Sequence, residues 1–490
     1  MMRLTVVGAG LAGSEAALQA AARGVRVRLV EMRPGTMTPA HRTGEVAELV
    51  CSNSLKSDEP GNAHGLLKAE LRILGSRLLD CAERARVPGG KALVVDRERF
   101  SAAVAEELER AGVELVREEV TTLPGGPAII AAGPLLSDAL AGALEAALGA
   151  GRLFFFDAIA PVVSAESLDP GVVFRGSRYG AGEDYLNCPM TRDEYERFVA
   201  ELASAETAPV RDFETTALFE GCLPVEELAR RGPDTLAFGP MKPVGLVDPR
   251  TGQRPHAVVQ LRQENAEGTM FNLVGFQTRL KQAEQRRVFR MIPGLANAGF
   301  LRYGAMHRNS YLDGPRVLLP TLQCRARPDL FVGGQLTGVE GYVESIGAGL
   351  VAGINAARLM LGDRPVEVPA EMMLGSLLRY VSAPCSGQYV RSGSGSPIRN
   401  GKPTADIGLG RNPDRRHVGL CPAPEDRMPV MSLTRGACPS YRFQPMNANF
   451  GLLPPVAGVK GRRQRREAQV ERALAAIAGF AGQVGPARGD

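Results

Sequence analysis

The chain has 490 residues, 44% of them apolar and 23% charged, which suits a globular protein of two or three domains with a large core. No apolar run reaches the roughly 18–20 residues of a membrane span, and eight scattered cysteines without a Cys-x-x-Cys pair argue against a disulfide framework and against zinc. The net charge of +5 permits a nucleic-acid partner without requiring one.

The N-terminus carries no charged leader and opens directly on a strand pattern, Leu4 to Val7, so no signal peptide is expected and the cytoplasm is the expected compartment. The turn Gly8-Ala9-Gly10-Leu11-Ala12-Gly13 follows. Ser14 to Arg23 then reads as an alanine-rich helix stopped by Gly24, and Val25 to Val30 alternates as a second strand ending on Glu31. Strand, Gly-x-Gly-x-x-Gly turn, helix, strand and acid make the dinucleotide-binding fingerprint. Gly8 permits the tight turn, Gly10 lets backbone approach a pyrophosphate, and Gly13 lets helix and strand pack closely. The helix N-terminus offers N–H groups to phosphates, and Glu31 suits ribose hydroxyls.

Residues 36–64 read as an irregular loop, and 65–86 as a helical stretch with Leu66, Leu67, Leu71, Leu74, Leu78 and Leu79 on a core stripe. Residues 98–111 form an amphipathic helix, Val113 to Val116 a strand, and Ala128 to Pro134 a buried strand closing on small residues. Such a closing turn favours a flavin over nicotinamide alone. From 153 to 320 the periods mix, as in a second domain inserted into the first. Near 330 the first pattern resumes with Leu330-Phe331-Val332-Gly333-Gly334-Gln335, then Gly338 to Tyr342, then a small-residue helix from Ser345 to Ala357. A second glycine turn gives a dinucleotide two grips and points to FAD, held by Gly334 and Gln335 as well as by the first turn.

Residues 385–441 are rich in Ser, Gly, Pro and Arg and read as a flexible insertion. It holds Cys385, His417, Cys421 and Cys438 in no familiar zinc spacing, so no metal is expected. The basic run Lys460-Gly461-Arg462-Arg463-Gln464-Arg465-Arg466 leads a final helix from about 467 to 480, either as a solvated face or as a phosphate contact. The expected fold class is α/β: a Rossmann-like FAD-binding domain of the two-dinucleotide-binding flavoprotein type with an inserted α+β domain. Its parts are 1–152 and 326–384 for the FAD domain, 153–325 for the insertion, 385–441 for the atypical stretch, and 442–490 packing back on the FAD domain.

Six blocks together resemble the folate- and FAD-dependent tRNA (uracil-5-)-methyltransferases. They are Glu48 to Leu55 (with Cys51), Phe219 to Pro224 (with Cys222), Val259 to Asn265, Asn272 to Thr278, Arg302 to Asn309, and Gln444 to Pro455. A related family, the FAD-dependent enzyme of the tRNA wobble uridine, shares the fold and the Gly341-Tyr342 block. The stretch 385–441 departs from the pattern. The resemblance implies methylation of carbon 5 of uridine 54 in the tRNA T loop. 5,10-Methylenetetrahydrofolate is the one-carbon donor, reduced FAD the hydride donor, and NADH or NADPH the reductant.

That chemistry wants one thiolate, one base and one flavin. The resemblance makes Cys222 the nucleophile on carbon 6 and Cys51 the general base. Each thiol needs its pKa lowered, for which Lys242, Arg302 and Arg308 are candidates. Glu340 and Tyr342 flank the flavin ring or the folate, or else serve the turn. His307 and Arg308 suit folate glutamate or tRNA phosphate, or form a polar core pair. Cys188 reads as structural, Cys81 and Cys324 as core. Two other readings use the same glycine turns: an FAD- and NAD(P)H-dependent small-molecule oxidoreductase, which leaves the cysteine blocks idle, and a non-catalytic flavin-binding scaffold.

Overall fold

The structure is a computed structural model that describes residues 3–149, 151–180, 182–209, 223–383 and 443–485. Leu4, Val6 and Val7 are buried, so the strand Leu4–Val7 is apolar on both faces, as the middle of a parallel sheet must be. It lies at the centre of five strands in the order Leu330–Val332, Ala128–Ile130, Leu4–Val7, Val27–Glu31 and Glu114–Arg117. All four pairings are parallel, with Val7 opposite both Val30 and Ile130. The return of the chain at Leu330, expected from its glycine turn, therefore adds a strand to the same sheet.

Two helices cover this sheet at its centre, Leu11–Ala21 and Tyr342–Met360, and both are buried along most of their length. They meet backbone to backbone. A Cβ at Gly349 would stand 2.2 Å from the Ala12 carbonyl oxygen, and one at Gly353 2.4 Å from that of Ala16. Small residues in both helices are thus a condition of the packing. Glu15, wholly buried in the first helix, caps the next helix but one. Its carboxylate accepts from Leu78 N and Ser76 Oγ, both at 2.9 Å, at the start of Arg77–Arg84. Glu70 does the same for the helix Met373–Ser382, accepting from Met373 N at 2.7 Å and Leu374 N at 2.9 Å.

The helical stretch expected over 65–86 is two helices, Ala63–Ile73 and Arg77–Arg84, because Gly75 turns the chain at φ 75 and Ser76 starts a new cap. The six leucines of the stripe are buried in either case. Within the loop expected over 36–64, Ser54–Ser57 forms a short strand antiparallel to Ala92–Val95.

A second, antiparallel sheet of six strands runs in the order Phe174–Arg175, Leu186–Met190, Ala257–Gln263, Met270–Leu273, Val162–Ser164 and Phe300–Arg302. Its core holds Cys188, Tyr195, Phe198, Phe276 and Phe289. A two-stranded ribbon, Arg152–Ala158 against Met306–Leu312, runs from Pro134, whose oxygen accepts from Ser310 N, to Ala305, whose oxygen accepts from Ile159 N. Cys81, Cys188 and Cys324 are buried free thiols, as read from sequence.

The final helix, Arg462–Val484, begins at the arginine run rather than after it. Met1–Pro384 and Gln444–Asp490 belong to one compact unit. The stretch 385–441, with its three cysteines and His417, lies outside the described residues. No helix among the described residues is long and apolar enough to cross a membrane, and no group of three or more His, Cys, Asp or Glu among them could hold a metal ion.

The helix contact gives a paired prediction. Gly349→Val forces the two backbones apart and lowers unfolding stability by about 3 kcal/mol or more. Gly479→Ala, with open space around it in the exposed part of the last helix, raises stability by about 0.5–1 kcal/mol. Denaturant midpoints of the two variants read both signs.

Candidate active site

A cleft with about 890 Å³ of free space opens at the carboxyl ends of the parallel strands, where open α/β sheets bind ligands. The glycine turn forms one wall. Gly8 sits at φ 99, and a Cβ there would lie 2.5 Å from the Ala132 Cα; a Cβ at Gly13 would lie 1.8 Å from the Gly8 oxygen. A Cβ at Gly10 would meet nothing within 4 Å, because that face of the backbone looks into open space. The helix Leu11–Ala21 starts from Gly10 with no side-chain cap, so its first N–H groups are left for a ligand. Gly334, Gln335 and Ser345 form the facing wall.

Glu31 lies at the end of its strand and is 5% exposed. Its carboxylate accepts from Ala9 N at 2.8 Å and from Arg33 Nε at 2.9 Å. Burial opposes its charge, but the Arg33 guanidinium and these N–H groups outweigh it and hold the carboxyl below its ordinary value. An ionised carboxylate has lone pairs left for a diol. Arg33 also reaches Glu48 Oε2 at 3.0 Å, and Glu48 in turn accepts from Arg42 N and Thr43 N, which ties the loop after the strand to the cleft.

Cys51 stands where that loop meets the helix Tyr342–Met360. The Tyr342 hydroxyl accepts from Cys51 N at 2.8 Å and from Ser52 N at 3.2 Å. With both lone pairs used, its hydrogen points to the Cys51 sulfur, 3.0 Å away. Three arginines hold the same loop. Arg97 donates to the Leu49 oxygen, Arg302 to the Val50 oxygen, and Arg262 to Ser52 Oγ at 2.8 Å and Asn53 Oδ1 at 2.9 Å. Burial pushes the Cys51 thiol up to about 11; the charge of Asp157 adds to this, while the Tyr342 hydrogen bond and the Arg97 charge oppose it. The lowered thiol pKa expected from nearby cations is thus not what the fold produces, because desolvation outweighs them. Of the three candidate cations, Arg302 bonds the loop beside Cys51, Lys242 lies over the Tyr179 ring, and Arg308 over the Phe154 ring.

The ribbon supplies the remaining wall. His307 pairs in register with Asp157, and Asn309 with Phe155. Asp157, His307 and Asn309 line the cleft. His307 Nδ1 and Asn309 Oδ1 are buried without a hydrogen-bond partner, and buried polar atoms left so point to a ligand group. Burial lowers the His307 pKa, and burial together with Arg33 lowers that of His41 to about 4, so both imidazoles are neutral at pH 7. A second groove, lined by Arg279, Lys281, Met306, His307 and Arg308, shares His307 with the cleft. An uncapped helix start, an open Gly10, a diol-accepting carboxylate and unpartnered polar atoms further along the cleft together fit a dinucleotide of the size of FAD.

Residues 3–364 match the family described as glucose inhibited division protein A. A methylenetetrahydrofolate–tRNA-(uracil-5-)-methyltransferase of Moorella thermoacetica is 51% identical, over 96% of this chain and 97% of its own. This chain belongs to that methyltransferase family. A relative of the same name from Desulforudis audaxviator is 52% identical, with 97% of each chain covered. The crystal structure of Aquifex aeolicus GidA superposes with a TM-score of 0.60 at 18% identity, covering 78% of this chain and 68% of that one, which shows a shared fold.

Of the family-implied and motif-implied residues, the cleft brings together Gly8, Gly10, Leu11, Ala12, Glu31, Cys51, Gly334, Gln335 and Tyr342. Ala9, Gly13 and Glu340 support it from behind: Ala9 N holds Glu31, Gly13 packs on Gly8, and buried Glu340 bonds Met446 O through its N–H at 2.8 Å. Cys222 lies outside the described residues. The chain on either side of 210–222 is fixed, with Ala208 N bonded to Arg279 O and Val225 N to Gln277 O. Sequence reasoning missed Asp157, Asn309, His41 and Arg97. Only Arg97 had a local signal, since it follows Asp96, which caps the helix Arg97–Arg110.

The hydrogen bond from Tyr342 sets a measurable property of Cys51. In the wild type, alkylation of Cys51 by iodoacetamide, followed on its own peptide by mass spectrometry, rises towards pH 11. Tyr342→Phe removes a bond to a charged acceptor, worth about 1.5–3 kcal/mol. That raises the thiol pKa by about one to two units, so alkylation of Cys51 below pH 10 slows by about tenfold or more. An unchanged profile would mean that Tyr342 does not donate to the sulfur.

Proposed function

We propose that this chain methylates carbon 5 of uridine 54 in the tRNA T loop, taking the one-carbon unit from 5,10-methylenetetrahydrofolate. The observation that carries the reading is the identity of about half of all positions, end to end, with relatives named for that reaction. The cleft supports it: Glu31, Gly10 and the start of the helix Leu11–Ala21 would hold FAD by ribose and pyrophosphate, in the same cleft that Cys51, Tyr342 and His307 line. FAD held there and recharged by NADH or NADPH would supply the hydride that turns an exocyclic methylene into a methyl group.

The residues of this chain do the rest. Uracil C5 is a weak nucleophile, so the Cys222 thiolate adds to C6, and the electron pair moves to C5, which bonds the methylene carbon of the folate. Cys51 takes the C5 proton as the one-carbon unit is released from the folate nitrogen, leaving the exocyclic methylene. After hydride arrives, the C6–S bond breaks and Cys222 returns to its starting state. Arg97 and Tyr342 favour the Cys51 thiolate against the burial that disfavours it. Pinning the Cys51 loop with Arg97, Arg262 and Arg302 keeps the base fixed while the uridine is drawn out of its stack. The reading places the enzyme in the cytoplasm with its tRNA.

The test uses the purified protein with unmodified tRNA, labelled methylenetetrahydrofolate and NADPH. Label appears in 5-methyluridine, and the protein forms a covalent adduct with 5-fluorouridine-containing RNA. Cys222→Ala abolishes the adduct; an adduct that survives would move the nucleophile to another residue. No label transfer from protein with a competent flavin would sink the reading.

A further inference from the structure

The N-terminal turn of the last helix breaks two local rules at once. Arg462 and Arg466 stand four apart, and Arg462 with Arg465, and Arg463 with Arg466, stand three apart, so like charges face each other on the helix surface. All of them crowd the positive end of the helix dipole, where the first turn carries no acidic residue. Both effects work against the helix. Between Lys460 and Arg472 there are six basic and two acidic side chains, an excess close to the net charge of +5 of the whole chain. Among the described residues, Arg463 is the one arginine of the 462–466 run paired with a carboxylate, Glu467 at 2.8 Å. Its side chain is 91% exposed, so the pair adds little.

The run also has a fixed place. Further along, the helix is buried through Gln469, Ala473, Ile477, Phe480 and Val484, while in its first turn Arg462, Arg463 and Arg465 are exposed and Arg466 is half-buried. Arg462, Arg463 and Arg466 line a shallow groove with Gly61. Gly61 stands three residues before His64, whose Nδ1 lies 3.1 Å from Glu344 Oε1; Lys56 Nζ lies 4.0 Å from the same oxygen. Glu344 is two residues from Tyr342 at the cleft. Its Oε1 also accepts from Ala448 N at 3.0 Å, and two residues on, Phe450 lies under the Arg466 guanidinium at 5.3 Å. Gln469 donates back to the Phe450 oxygen at 3.4 Å. A chain of contacts therefore links the turn that carries Tyr342 to the basic groove.

We propose that Lys460, Arg462, Arg463 and Arg466 form a docking rail for the phosphate backbone of the tRNA whose uridine enters the cleft. The proposal rests on the functional reading above. A polyanion neutralises the facing arginines, which turns a locally unfavourable run into a binding surface, and the contacts through Glu344 and Phe450 fix the rail relative to the turn that carries Tyr342.

The test compares full-length wild type with the triple variant K460Q/R462Q/R463Q, measuring unmodified-tRNA affinity by filter binding from 50 to 200 mM salt without turnover. The expected result is affinity at least about tenfold weaker at low salt. The slope of log K against log salt should fall by about 0.9 for each phosphate contact removed. Flavin content should match the wild type, with a melting temperature equal or higher because the facing charges are gone. Affinity and slope equal to the wild type would overturn the rail alone. A wild type that does not bind tRNA at all would overturn the functional reading and the rail with it.

Discussion

Everything at this site depends on how one five-residue loop, Leu49 to Asn53, is held. Arg97, Arg262 and Arg302 spend their guanidinium donors on its oxygens, and Tyr342 takes its N–H groups. Arg262 and Arg302 come from the antiparallel sheet, Arg97 from the start of a helix on the FAD side, and Tyr342 from the helix that follows the second glycine turn. Arg97 is balanced by Glu264 at 2.7 Å. Arg302 finds a carbonyl rather than a carboxylate, and burial brings its pKa down to about 10. Buried guanidinium groups are tolerated only when their hydrogens are accepted. The loop cannot relax without leaving one of them unpaired, so Cys51 is fixed only when all these elements are assembled.

The same logic couples the cofactor grip to the cysteine. Tyr342 is the first residue of the helix whose Gly349 and Gly353 press on Ala12 and Ala16 of the glycine-turn helix. The approach that lets Gly10 and Leu11 face the cleft therefore also sets where the Tyr342 hydroxyl meets the sulfur. Glu344 anchors the beginning of that helix from the other side. Burial raises its pKa, but Lys56 and His64 outweigh this and take it down to about 2, so its negative charge is present to hold Ala448 N. The C-terminal segment is thereby fastened to the turn that carries Tyr342.

The parts legible in the sequence are those whose physics is local. The glycine turn, the acid at the strand end and the small-residue helix each act on neighbours within a few residues, and each stands where its pattern put it. The leucine stripe was legible as core but not as two helices, because burial is blind to the break that Gly75 makes. Asp157, His307 and Asn309 were not legible as a group, since only the register of two strands some 150 residues apart brings them to one wall. Of the arginines around Cys51, the sequence pointed to Arg302 as a cation for a thiol but not to Arg97 or Arg262. Their role comes from the burial that the second sheet imposes.

The state of Cys51 shows why a cation count cannot stand for electrostatics. Three arginines hold its loop, yet the thiol is driven up, because burial outweighs the Tyr342 hydrogen bond and the charge of Arg97. Asp157 on the ribbon adds a like-signed neighbour to any thiolate. Among the described residues, the group that bonds the sulfur is the Tyr342 hydroxyl, and burial beside Cys51 drives its own pKa well above 10. The tyrosine therefore keeps its proton and donates it only as a hydrogen bond, which makes it a fixed support for the thiolate rather than a competing acid. The stability of the Cys51 thiolate thus rests on one hydrogen bond whose direction the two backbone N–H groups of Cys51 and Ser52 enforce.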